Sequence, residues 1–211
     1  MKPVERTEGP DWKDGFLFVG NELALDFLNT RPIENGETTE LLPDFWALVR
    51  WFRAAGVLTN HQADELAKKW AESTIGKRTV EEIRHWRERL RKQVIAWEKG
   101  ASLHPAMVKE VNHLIAEHPM RFRLSSQKKP ITELWFEPRQ PEDLFAPLSH
   151  NVATLFADVD RNRVRKCGQC VLHFHDISKK GTRRWCSMRL CGNRLKVAAY
   201  AARQRWPVAS R

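Results

Sequence analysis

Between Cys167 and Lys196 the chain reads CGQCVLHFHDISKKGTRRWCSMRLCGNRLK, and all four of its cysteines lie in that stretch. They form two close pairs, Cys167-x2-Cys170 and Cys186-x4-Cys191, with fifteen residues between the pairs. Each pair can make a tight knuckle, and a loop of this size can bring two knuckles round one tetrahedral ion. Four thiolates suit zinc, at a structural site with no open coordination position. Two other uses compete. Disulfides belong to oxidising compartments, and the start of the chain, MKPVERTEGPDWKDG, offers no apolar run for a secretory signal. The Cys167-x2-Cys170 pair alone could serve as a redox switch. His173 and His175 share one face of the alternating run VLHFHDI, and imidazole also binds zinc. Four cysteines remain the preferred set. The histidine face is then expected to be partly exposed or to support the ligands, with Asp176 as a nearby acceptor.

The charge is as uneven as the cysteines. The whole chain carries +10, and residues 161–211 hold fourteen Lys/Arg against one acid, Asp176, a local +13. Residues 1–160 therefore carry −3, so the basic excess travels with the cysteines. A compact metal module of this charge density points to nucleic acid as partner, the alternatives being a solvated face or a patch for an acidic protein. Lys179, Lys180, Arg183 and Arg184 precede Cys186, where they could reach phosphates. Arg189, Arg194 and Lys196 would lie at the start of a helix through Leu195-Lys-Val-Ala-Ala-Tyr, where a groove could receive them. Asn193 and Arg194 could equally brace the knuckle, and Trp185 could stack on a base or pack against the module's own hairpin.

The rest of the chain is long enough for its own core, with 42 % hydrophobic residues, nine tryptophans and ten phenylalanines overall. Residues 1–15 read as a polar arm and Phe16–Val19 as a short strand. Asn21 looks like the cap of a short helix through LALDFLN. Asp44 starts a helix that Gly56 ends, and Thr59 with Gln62 makes a capping box for the next. Thr79 and Glu82 suggest another box, opening a helix in which Val80, Ile83, Trp86, Leu90, Val94 and Trp97 step by three and four. Its opposite face, with Arg84, Arg87, Arg89, Arg91 and Lys92 among glutamates, reads as solvated. Pro105 opens a further helix with Met107, Val108, Val111, Leu114 and Ile115 inward. Phe122 and Leu124 alternate with arginines, and Thr132, Leu134 and Phe136 with glutamates. That pattern predicts a β-hairpin lying against the helices. A last amphipathic helix runs from about Pro147 to Val159, and the basic connector after it, from Arg161, is the expected boundary between residues 1–160 and 161–211.

Asp26 and Asn29 are unusual polar choices in LALDFLN. They are candidates for binding a small effector, or for bonding the local backbone near the helix end. No Gly-rich phosphate loop, GxSxG elbow or HExxH occurs, and His104, His113 and His118 fall at spacings of nine and five, off one helical face. Four cysteines would also saturate a zinc ion, leaving no place for an activated water. The expectation is a binding protein, not an enzyme. No run approaches the ~18 apolar residues of a membrane span, so the expected location is the cytoplasm, where thiols stay reduced.

Two stretches resemble a known family. CxxC, then FHDISKKGTRRWCSM, then CGNR followed two residues on by Lys196, is similar to the CGNR zinc finger, with Arg184 to Met188 and Cys191 to Arg194 in matching order and distance. Leu23-Ala24-Leu25-Asp26-Phe27-Leu28-Asn29-Thr30 resembles the LDFxNT signature of the N-terminal domain, called ABATE, that accompanies it. Members are described as putative stress-induced transcription regulators, so the resemblance implies regulation of transcription. The residues themselves imply one zinc ion and affinity for nucleic acid.

Together these readings predict a mainly α chain with a small β-hairpin (α+β). A helical domain over 1–160 would act as sensor or dimerisation half, making a homodimer and a small-molecule effector its expected partners. A treble-clef-like or ribbon-like zinc finger over 161–211 would bind duplex DNA. An RNA-binding or ribosome-associated protein would use the same charge, and a small-molecule enzyme in the helical domain would need a deep polar pocket around Asp26 and Asn29.

Overall fold

In the computed structural model, which describes residues 10–34, 37–126 and 130–193, helices dominate and each strand belongs to a two-stranded antiparallel ribbon. The ribbons are β1 (Trp12–Lys13) with β2 (Phe16–Leu17), β3 (Ile33–Glu34) with β4 (Glu37–Thr38), β5 (Arg121–Ser125) with β6 (Ile131–Trp135), and β7 (Val164–Lys166) with β8 (His173–His175). The helices are α1 (Leu23–Leu28), α2 (Phe45–Ala54), α3 (Asn60–Trp70), α4 (Thr74–Glu98), α5 (Pro105–Glu117) and α6 (Phe145–Asp158). Among the described residues, no helix is long and apolar enough to cross a membrane.

Most helix starts follow the local chemistry. Asp44 accepts from the Ala47 amide at 2.8 Å, Thr59 and Gln62 close a capping box, and Pro105 is the first residue of α5. The start of α4 differs from expectation. Its cap is Ser73, which accepts from the Gly76 amide at 2.9 Å, so the helix begins a turn and a half before Thr79. Glycine at 76 makes this possible, since a Cβ there would stand 2.2 Å from the Trp70 carbonyl oxygen. Thr79 is buried mid-helix and donates to the Ile75 carbonyl.

The 25-residue α4 is the axis of the core. Val80, Ile83, Trp86, Leu90, Val94 and Trp97 are all buried, as their spacing requires. Trp86 packs on Phe27 and Phe145, with ring centroids 6.0 and 5.7 Å away. Trp51 continues the aromatic row to Phe27 and Phe52. The polar face of α4 is less simple than its charge pattern. Arg87 is only 1 % exposed. Its guanidinium donates to Glu40, to Glu88 and, at 2.7 Å, to the Thr30 hydroxyl. Arg91 reaches the Leu28 carbonyl at 2.5 Å. These two arginines tie α4 to the end of α1 instead of facing solvent. Arg89 does lie outside, paired with Glu110 of α5.

The expected β5–β6 hairpin forms, with Arg123 and Glu133 opposite each other and 2.8 Å apart. It does not lay its apolar face on the helices. Phe122 and Leu124 are 73 % and 75 % exposed, while Phe136 just beyond β6 packs against the core. Strand alternation fixes which side chains share a face, but not which face meets the neighbouring helices.

Removing the partner of a buried charge is costly. Arg87 keeps Glu88 and Thr30 when Glu40 is lost, so Glu40→Ala should lower the unfolding free energy by about 1–3 kcal/mol in urea titrations, whereas Glu110→Ala, at an exposed pair, should cost under about 1 kcal/mol. Equal losses would show that Arg87 does not depend on Glu40.

Candidate metal centre and nucleic-acid interface

The cysteine module is built on β7 and β8, paired Val164 to His175 and Lys166 to His173, with the first knuckle at the tip. The Cys167 amide donates to the Leu172 carbonyl at 2.8 Å and closes that knuckle. The second knuckle is a wide helical turn over Met188–Gly192. Ser187 caps it, accepting from the Arg189 amide at 3.1 Å and donating to Asp11 at 2.6 Å. The Ser187 carbonyl accepts from the amides of both Cys191 and Gly192. Beneath the sulfurs lies a small apolar cluster of Leu172, Phe174, Trp185 and Leu190. It also takes in Trp12, Leu17 and Val19 from the other end of the chain. The segment read as a polar arm thus supplies, from Trp12 onward, part of the floor of the metal module.

The four sulfurs lie within 4.8 Å of one another. Cys186 is 3.7 Å from both Cys170 and Cys191. A disulfide needs about 2.05 Å. Four sulfurs bound at about 2.3 Å to a tetrahedral zinc stand about 3.8 Å apart, so the residues fit that ion. Hydrogen bonds from Cys170 and Cys186 pull Cys167 far below the usual thiol range, while the same crowding pushes Cys186 up. Burial, with the neighbouring sulfurs, pushes Cys191 up to about 12. Left to themselves, the thiols could not all ionise, and a divalent cation is what allows four thiolates at this spacing. The cysteines form one structural zinc site, with every position taken by protein sulfur.

The histidines are not ligands. His173 is buried, not partly exposed, with Nδ1 2.9 Å from the Glu98 carboxylate on α4. His175 Nδ1 lies 3.0 Å from Glu22. Both turn away from the sulfurs toward the helical domain. Period-two alternation placed them on one face correctly, but that face is the seam between the two parts of the chain.

The LALDFLN stretch forms the other side of this seam. Asn29, at the end of α1, donates from Nδ2 to the His173 carbonyl at 2.9 Å and accepts from the His173 amide at 2.8 Å. Asn21 is not the helix cap, which is Glu22. Its backbone is left-handed (φ 61°) and its side-chain Nδ2 donates to the His175 carbonyl. The His175 amide donates to the Gly20 carbonyl at 2.8 Å. Asp26 accepts from the Gly20 amide at 2.7 Å. Gly20 runs so close to α1 that a Cβ would meet the Asp26 amide at 2.8 Å. Asp26 and Asn29 are thus both engaged with backbone, the local role that the sequence leaves as the alternative to an effector site. The partners they serve lie partly in the zinc module, which no local pattern announces.

Four of the basic candidates stand on one loop and knuckle. Lys179, Lys180, Arg184 and Arg189 are exposed. Arg183 is not free. It donates to the carbonyls of Trp185 and Cys186 and lies over the Phe174 ring, 4.7 Å from its centroid. It braces the second knuckle. Asp176, buried, accepts from the amides of Ser178 and Arg183 and so pins the loop that carries the lysines. Burial opposes its charge, but these bonds hold its carboxyl below the usual range. Trp185 takes its packing role, in the apolar cluster and against Gly168. Arg194, Lys196 and the helix expected from Leu195 lie outside the described residues.

A helical domain fastened by its first helix to a four-cysteine zinc module defines a zinc-finger protein with a built-in helical partner. Over residues 21–159 the chain matches the ABATE family, described as "Putative stress-induced transcription regulator", and over residues 163–204 it matches the CGNR zinc finger. The chain belongs to the ABATE family and carries a CGNR zinc finger at its C-terminal end. No curated protein matches it.

Metal analysis should find one zinc per chain, and Cys186→Ser should lose it along with the module's fold. Cobalt in place of zinc should give the visible bands of a tetrahedral thiolate site; octahedral spectra would contradict the four-sulfur set. A separate expectation concerns Asp26, which burial raises from an ordinary 3.8 to about 7. A carboxyl with a higher pKa folded than unfolded favours folding at low pH, and that contribution is lost as pH rises through the folded value. The Asp26→Asn variant should therefore gain on the parent by about 2 kcal/mol between pH 5.5 and 7 and hold level above. Parallel urea-stability curves for the two proteins would contradict it.

Proposed function

We propose that this protein is a zinc-dependent DNA-binding transcription regulator of the cytoplasm, a binding protein with no catalytic role. One observation carries the reading. The chain's whole basic excess sits with the zinc module, and Lys179, Lys180, Arg184 and Arg189 project from the segments that the zinc site and Asp176 hold in place. Lysines on such a loop give affinity through phosphates, and arginines can add choice of base. The helical domain would then be the sensing or dimerising half, since it has its own core and is joined to the zinc module through a seam of hydrogen bonds. Through that seam an effector or a second copy could reach the DNA-binding face.

Binding of the full-length protein to a mixed-sequence duplex, followed across a salt series, tests this. Tight binding should weaken steeply with salt and collapse on chelation of zinc. Preference for a structured RNA of equal length would transfer the function to RNA. Binding indifferent to zinc would make the module a structural clamp.

A further inference from the structure

An open groove of about 490 Å³ runs beside the first knuckle, where the end of α4 meets the zinc module. Its walls carry Arg161, Lys166, Gln169, Arg184 and Trp185, with Glu98 at the helical-domain side. Arg161 and Lys166 come from the basic connector, and neither is among the phosphate-contact candidates that the sequence singles out. Asp160 caps the turn at Arg161–Arg163, and Lys166 ends β7, so backbone structure places both cations. Arg184 lies over the Trp185 ring, 5.4 Å from its centroid.

The groove's electrostatics are one-sided. Among the described residues, no acid pairs with the side chains of Arg161, Lys166 or Arg184. Its single carboxylate, Glu98, accepts the Lys166 amide at 2.5 Å through one oxygen, and the other is buried 2.9 Å from the His173 ring without a hydrogen bond. Arg165 and Arg183, which also line it, spend donors on the carbonyls of Gly181, Trp185 and Cys186, and the Arg165 Nε is buried without an acceptor. Cations that line one groove with no acid paired to them suit an anion with several oxygens. The exposed basic loop shares Arg184 with the groove, so one continuous polyanion can cover both.

We infer that this groove holds the phosphates of one DNA strand, with Arg161 and Lys166 as phosphate contacts outside the zinc loop. The inference rests on the DNA-binding reading above and adds to it a contact surface next to the helical domain. Each phosphate neutralised contributes about 0.9 to the slope of log K against log salt. The test uses the full-length zinc protein and a mixed-sequence duplex. Arg161→Gln/Lys166→Gln should reduce the slope by about 1.8, with zinc content and thermal midpoint unchanged, as befits two exposed side chains. Lys68→Gln/Lys109→Gln removes the same charge from the far helices α3 and α5 and should leave the slope unaltered. An unchanged slope in the groove variant, with binding still tight and zinc-dependent, overturns the groove and leaves the DNA reading standing. An equal fall in both variants overturns it too, since net charge would then suffice. Failure of the parent protein to bind duplex removes both.

Discussion

One side chain holds the two halves of this chain in register. Asn29 gives both its donor and its acceptor to the backbone of a single residue, His173, 144 positions away. An amide paired with a strand residue in this way acts as one more rung of a sheet, and at 1 % exposure it has no water to fall back on. The neighbouring contacts depend on that fixed register. Gly20 meets His175, Asn21 meets the His175 carbonyl, and the two histidines face Glu98 and Glu22 across the same seam. Asp26 shapes the approach by holding Gly20 against α1. The short polar signature in α1 is a fastener, and what it fastens is the zinc module.

Metal and seam support each other. Zinc closes the knuckles, which sets the β7–β8 pair, which presents the backbone that Asn29 reads. In return the helical half supplies Trp12, Leu17 and Val19 to the module's small core and Glu98 to its edge. A module this short holds few apolar residues of its own, so borrowed side chains and metal together offset the entropy of ordering it.

The helices and the metal site were largely legible in the sequence. Asp44, the Thr59–Gln62 box and Pro105 are local devices, and each acts where it stands. Cysteine spacing is equally local, because a knuckle is a property of five or six consecutive residues. Less was legible where a residue's partner is remote. Ser73 outranked Thr79 as a cap because Gly76 lets α4 start against the Trp70 carbonyl. Arg87 looks like its exposed neighbours until Glu40 and Thr30 arrive beside it. Arg183 resembles Lys179 and Lys180 in composition, yet the knuckle's carbonyls and the Phe174 ring claim it.

The sequence by itself determined the main helices, the aromatic core of α4, the four sulfur ligands and the concentration of positive charge at one end. Each follows from periodicity, spacing or counting, which tertiary contacts cannot alter. The tertiary structure alone decided which polar and charged residues are spent inside the molecule and which remain for a partner. It turned His173, His175, Asp26 and Asn29 into a seam, withdrew Arg183 from the surface, and placed Arg161 and Lys166 on a groove. The physical reason is that a hydrogen bond or ion pair is satisfied by whatever group folding brings within about 3 Å, and sequence distance says nothing of that.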